Sequence, residues 1–114
     1  MKTDYTENSL VAALKGQDAV VSAVGGAGFL QQKPVVEAAV KAGVKRFIPA
    51  EFSSNTMSEA VRDLVPLFEQ KKEVLDQLKT KEPQGLTWTG IAVGGLFDWV
   101  CPDNSKVAHQ VQPN

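Results

Sequence analysis

Three short strand-like runs, the first rich in Val, alternate along this chain with segments of helical periodicity, and that alternation leaves few folds open. The runs "DAVVSAV" (18–24), "VKRFIPA" (44–50) and "LTWTGIAV" (86–93) read as strands. The first is almost uninterrupted apolar sequence, the pattern of a strand covered on both faces. The second is broken by Pro49. Before and between them lie helical segments. "TENSLVAALKG" predicts a short helix with Thr6 or Asn8 as its cap, Leu10, Ala13 and Leu14 on one face, and Gly16 as its stop. In "QQKPVVEAAVKAG", Pro34 suits a first turn, Val36, Ala39 and Val40 are spaced to face a sheet, and Gly43 ends the helix. "EFSSNTMS" reads as loop. "EAVRDLVPLFEQKKEVLDQLKTK" predicts a long helix, bent or restarted at Pro66.

Strand and helix alternating at these lengths make βαβ units, which build a parallel sheet with right-handed crossovers. The expected fold class is α/β, an incomplete Rossmann-like parallel sheet with helices on its faces. Ligands of such sheets bind beyond the carboxyl ends of the strands. The segments to inspect are therefore 22–28, 49–55 and 93–99.

Composition narrows the partners. The 114 residues suffice for one modest domain. A net charge of −1, with both signs mixed along the chain, gives no electrostatic reason to expect nucleic acid or an anionic membrane. No apolar run approaches the roughly 18 residues that span a bilayer, and "MKTDYTENS" lacks the apolar core of a secretory signal. The single cysteine, Cys101, makes a reducing cytoplasm the default compartment. With the lone His109 it is too little for a metal site, so none is expected.

The stretch "DAVVSAVGGAG" invites comparison with the dinucleotide fingerprint G-x-G-x-x-G. Starting at Gly26, Gly28 fills the second position but Gln31 falls on the third. Starting at Gly25, Ala27 falls on the second. Neither register satisfies the motif. The alternatives are a glycine turn required by the backbone and a cofactor-facing turn of a later strand. Glu51 lies about where a ribose-binding acid would fall, but in "PAEF" it reads as a loop residue following a strand.

Helical phase singles out Lys71. At about 100° per residue, Leu67, Phe68, Val74, Leu75 and Leu78 share one mean direction. Lys71 lies close to it and Lys72 lies well off it. Leu64, Phe68, Lys71, Leu75 and Leu78 follow a 4-3-4-3 spacing. A lysine on an apolar stripe must snorkel to water or find a partner. If partnered at the strand ends, it could hold a cofactor ribose or act as an acid or base. "AEFSSN" offers hydroxyls and a carboxylate after a strand, or only a capped loop. "GGLFDW" closes a core or walls a pocket. Ser53, Ser54 and His109 would suit a hydrolase, but no G-x-S-x-G is present.

The segments "DYTENSLVAALKGQDAVVSAVG", "AGVKRFIPAEFSSN", "FEQKKEVL" and "GLTWTGIAVGGLFDW" together resemble the NmrA-like and isoflavone reductase-like family, an atypical branch of the short-chain dehydrogenase/reductases. "VKRFIPAEF" is the most specific element. The resemblance implies NADP(H) as cofactor and reduction of a small organic, often aromatic, substrate, with Lys71 as the catalytic residue. It implies cofactor contacts from Ser22, Ala23, Val24, Gly25 and Gly26, from Pro49, Glu51 and Phe52, from Lys71, and from Gly94 and Gly95. Related reductases often carry Asn where Gly94 stands. The Tyr-x-x-x-Lys pair of ordinary short-chain dehydrogenases is absent, because Leu67 occupies the tyrosine position; this branch tolerates that.

The same resemblance predicts a partial domain over residues 1–99. The family's opening strand, G-x-x-G-x-x-G loop and basic 2′-phosphate residue have no counterpart in these residues, and "KTDYT" reads as the stump of the family's third strand. Residues 100–114 leave the family pattern and read as a disordered tail. Three functions stay open on this basis: a fragment of an NADPH-dependent reductase, a non-catalytic NAD(P)-sensing module, or an inactive truncated product. Sensors need no lysine at position 71, so its presence leans toward reductase ancestry. A sheet lacking its first strand would also expose an apolar edge able to self-associate.

Overall fold

The computed structural model describes residues 2–94. Helix α1 spans Glu7–Leu14, strand β1 Ala19–Val21, helix α2 Gln32–Ala42 and strand β2 Arg46–Ile48. Helix α3 (Glu59–Leu64), helix α4 (Phe68–Lys81) and strand β3 (Thr87–Trp88) follow. A 3-10 turn over Gly26–Gly28 leads toward α2, and another over Glu82–Gln84 leaves α4.

Local signals set most boundaries. Thr6 caps α1 by accepting a hydrogen bond from the Ser9 amide. Gly43 ends α2 with φ at 77°, in the left-handed region that only glycine adopts without strain. Pro66 separates α3 from α4, because a proline nitrogen cannot donate to the preceding turn.

The three strands form one parallel sheet in the order β1-β2-β3. Val20, Phe47 and Trp88 stand side by side in register. They meet the core made by Val36 and Ala39 of α2, Val74, Leu75 and Leu78 of α4, and Val44 and Leu86. Burial of this apolar surface is the main force holding the helices on the sheet. Polar ties between α2 and α4 then set their relative placement. Lys33 pairs with Glu73 at 2.6 Å, Lys81 with Glu37 at 2.8 Å, and Gln77 Nε2 donates to Glu37 at 2.7 Å.

Four expectations are corrected. The first strand is three residues long, not seven, and is not covered on both faces: Val21 is 63 % exposed. Core contacts reach the face carrying Val20, Phe47 and Trp88, whereas Ala19, Arg46 and Thr87 on the other face are exposed. The third strand is confined to Thr87–Trp88, because pairing with β2 ends where β2 runs into Pro49. Residues 2–6 form no strand; Asp4 instead accepts bonds from the Thr6 amide and hydroxyl, shaping the turn that caps α1. Leu64 and Leu67 do not join the buried stripe, being 82 % and 43 % exposed, because the break at Pro66 puts them outside α4.

No helix among the described residues is long and apolar enough to cross a membrane. The expectations for Gly95 and for residues 100–114 lie outside the described residues.

Candidate functional site

Because the strands run parallel, the chain leaves all of them at one end of the sheet. A cleft of about 500 Å³ opens there. It is lined by residues 23–26 after β1, Phe29, residues 50–54 after β2, Phe68 and Lys71 at the start of α4, and Gly94 after β3.

Among the described residues, Lys71 is the only charged nitrogen in that lining. It is 4 % exposed, and it does not snorkel. Its Nζ donates to the Glu51 carbonyl and, at 2.7 Å, to Ser53 Oγ. The Phe29 ring centroid lies 4.6 Å from Nζ and the Phe68 centroid 5.1 Å away. Aromatic faces at that range attract a cation. Both hydrogen-bond acceptors are neutral. Burial therefore lowers the Lys71 pKa, and the Glu51 carboxylate nearby opposes that shift only in part. An ammonium carries three donors. Two are committed, so one can serve an oxygen placed in the cleft.

The acceptors sit on a tightly held loop. The Glu51 amide donates to the Pro49 carbonyl at 2.7 Å, closing a three-residue turn over Ala50. Phe52 follows with φ at 34°, a left-handed value that costs a side-chain-bearing residue about 1–3 kcal/mol. Such a conformation persists only where its surroundings impose it. Here Gln32 Oε1 accepts from the Ala50 amide at 2.8 Å, and Lys71 holds the Glu51 carbonyl. Thr56 Oγ1 donates to the Glu51 carboxylate at 2.5 Å. The Ser53 carbonyl accepts from the Val93 and Gly94 amides at 3.0 and 3.1 Å. Arg62 bonds the Thr56 carbonyl at 2.7 Å and Glu69 at 2.9 Å, joining α3 to this loop and to α4.

Most of the expected site residues converge on the cleft: Ala23, Val24, Gly25, Gly26, Glu51, Phe52, Lys71 and Gly94. Two do not reach it. Ser22, the residue just after β1, lines a neighbouring groove with Tyr5 instead. Pro49 is fully buried beneath the loop it starts. Sequence reasoning missed Phe29 and Gln32. Phe29 carried no usable signal, being one large residue after a glycine turn. Gln32 did carry one: it lies one helical turn before Val36, on the buried face of α2.

The sequence model of the NmrA-like family matches residues 2–93. The chain is 42 % identical over 95 residues to the oxidoreductase aprR of Aspergillus flavus, an alignment covering 82 % of this chain and 32 % of that protein. Among solved structures, the complex of AtPrR2 with NADP+ and (+)pinoresinol superposes with a TM-score of 0.71 at 30 % identity, covering 87 % of this chain and 33 % of that one. The binary complex of leucoanthocyanidin reductase with NADPH from Vitis vinifera gives a TM-score of 0.62 at 28 % identity, covering 80 % and 32 %. This chain thus spans about a third of the length of the relatives it matches.

Proposed function

The chain belongs to the NmrA-like family, and from that premise we propose that it forms the nicotinamide side of an NADP(H)-dependent reductase acting on a small aromatic compound. The observation that carries this reading is the Lys71 amine, held by two neutral acceptors in an apolar cleft beyond the strand ends.

The lining suits the nicotinamide ribose half of a dinucleotide. Phe29 and Phe68 offer flat apolar walls. The turn at Gly25 leaves open space: a Cβ built there meets nothing within 4 Å, and its backbone is not in the left-handed region. A bound NADPH supplies the hydride. Lys71 orients a ribose hydroxyl through its third donor and, with its lowered pKa, passes a proton more readily than an ordinary lysine would. The Glu51–Ser53 loop holds the amine in place, and the aromatic walls exclude water from it. Gly94 brings bare backbone to the rim, leaving room for substrate.

Neither a G-x-G-x-x-G nor a G-x-x-G-x-x-G register occurs in the 114 residues, so the contacts proposed are those at the nicotinamide end. Binding by this chain alone is therefore expected to be weaker than micromolar and dominated by the nicotinamide end. Saturation-transfer NMR of NADPH with the 114-residue chain tests this. Strong transfer to the nicotinamide ring, lost in Lys71→Met, is the expected result. Transfer mainly to the adenine, or none, overturns the reading.

A further inference from the structure

We propose that Gln32 is a positioning residue for Lys71, acting through the backbone of Ala50 and Glu51. The inference rests on the reading of Lys71 as the working group of the cleft.

Gln32 opens α2, far from Lys71 in sequence, yet it is 2 % exposed. A primary amide is costly to bury unless both its ends are bonded. Both are. Nε2 donates to the Phe29 carbonyl at 3.1 Å, and Oε1 accepts from the Ala50 amide at 2.8 Å. One side chain therefore bridges two walls of the cleft. On one side is the residue whose ring stands 4.6 Å from the Lys71 nitrogen. On the other is the residue just before Glu51, whose carbonyl accepts from that nitrogen.

The bridge is placed where it matters. Ala50 is the centre of the three-residue turn closed by Glu51 and Pro49, and Phe52 follows in a strained conformation. With the Ala50 amide released, a turn of this kind can relax, carrying the Glu51 carbonyl with it. Phe29 would lose its tether in the same step. Lys71 would then lose one acceptor and part of one aromatic wall, and water would enter. Among the described residues no other side chain bonds the Ala50 amide.

A purely structural role would make Gln32 equivalent to other buried residues of α2. Val36 supplies the comparison: it is fully buried on the same helix, one turn further on, and belongs to the core rather than to the loop. The experiment is an NMR titration of the Lys71 Nζ resonance in the 114-residue chain, as wild type, Gln32→Met, Gln32→Asn and Val36→Ala. Gln32→Met removes both bonds at similar volume. Gln32→Asn is too short to span both partners and serves if the methionine variant fails to fold.

The expected result is a midpoint raised toward the ordinary lysine value, by at least half a pH unit, in the Gln32 variants and unmoved in Val36→Ala. Unmoved midpoints in folded Gln32 variants overturn the proposal, as does an equal shift in Val36→Ala. Hydrogen exchange in the wild type needs no variant. An Ala50 amide exchanging at the rate of an open chain overturns the proposal as well. None of these readouts involves NADPH. A chain that fails to bind the dinucleotide but shows the Gln32-specific shift would sink the functional reading and leave the positioning role standing.

Discussion

Lys71 Nζ donates to Ser53 Oγ at 2.7 Å, joining the buried face of α4 to the loop that follows β2. The bond brings a cation next to a neutral hydroxyl rather than a carboxylate. That choice keeps the lysine short of full compensation for its burial.

Stability should therefore rise with pH around Lys71. Its folded pKa lies below the unfolded value of 10.5, with burial as the main cause. Well below both values, each state carries the proton and the folded state bears the cost of the buried charge. As pH climbs through the lowered value toward 10.5, the folded state releases the proton first. Urea unfolding in this window should show the wild type gaining stability relative to Lys71→Met. A constant difference would show that burial does not bias this amine.

The glycines of the turn after β1 should separate by role. A Cβ at Gly28 would stand 3.1 Å from the Val24 Cβ, an atom fixed by the backbone that no change of rotamer moves away. Gly28→Ala should cost about 1–3 kcal/mol by overpacking. A Cβ at Gly25 meets nothing, so Gly25→Ala should change stability by less than about 0.5 kcal/mol. If Gly25 faces a cofactor, the same substitution weakens NADPH binding while the unfolding midpoint holds.

Acid should loosen the α2–α4 seam. The Lys81 side chain bonded to Glu37 holds that carboxyl below its usual value of 4.5, with Gln77 assisting and partial burial opposing. A depressed carboxylate stabilises above the unfolded value and loses its contribution as pH falls through the folded one. Glu37→Gln should thus be less stable than wild type at neutral pH and equal to it once the Glu37 carboxyl is protonated in both the folded and the unfolded state. Parallel denaturation curves at the two pH values measure the difference.

We propose that the β1 edge supports self-association. Val21 is 63 % exposed on an edge strand, where unpaired backbone groups invite another strand. Light scattering over a concentration series should show growth in mass for the wild type. Val21→Lys should suppress it. A mass that stays constant for both chains removes the edge as a contact.

Much of the fold was legible because its signals are local. The cap at Thr6, the left-handed stop at Gly43 and the restart at Pro66 each depend on a residue's own backbone chemistry. The parallel sheet followed from the alternation of elements. Strand lengths did not follow. An apolar run such as 18–24 looks the same whether or not a layer covers its second face, and pairing ended it after Val21. The cleft was legible in part. Its glycine turn, its loop after the second strand and Lys71 were found from position and phase, while Phe29 and the Gln32 bridge were not.

By itself the sequence determined that Lys71 shares a helix face with Leu75 and Leu78, since 3.6-residue periodicity puts it on their stripe, and left open whether its amine would snorkel to water. What it would meet there only the tertiary structure decided. Its acceptors lie 20 and 18 residues earlier in the chain, and its aromatic wall at Phe29 belongs to another turn. Periodicity is a property of one helix and survives in any fold. The protonation chemistry of a buried amine depends on which distant groups the folded chain brings within bonding range.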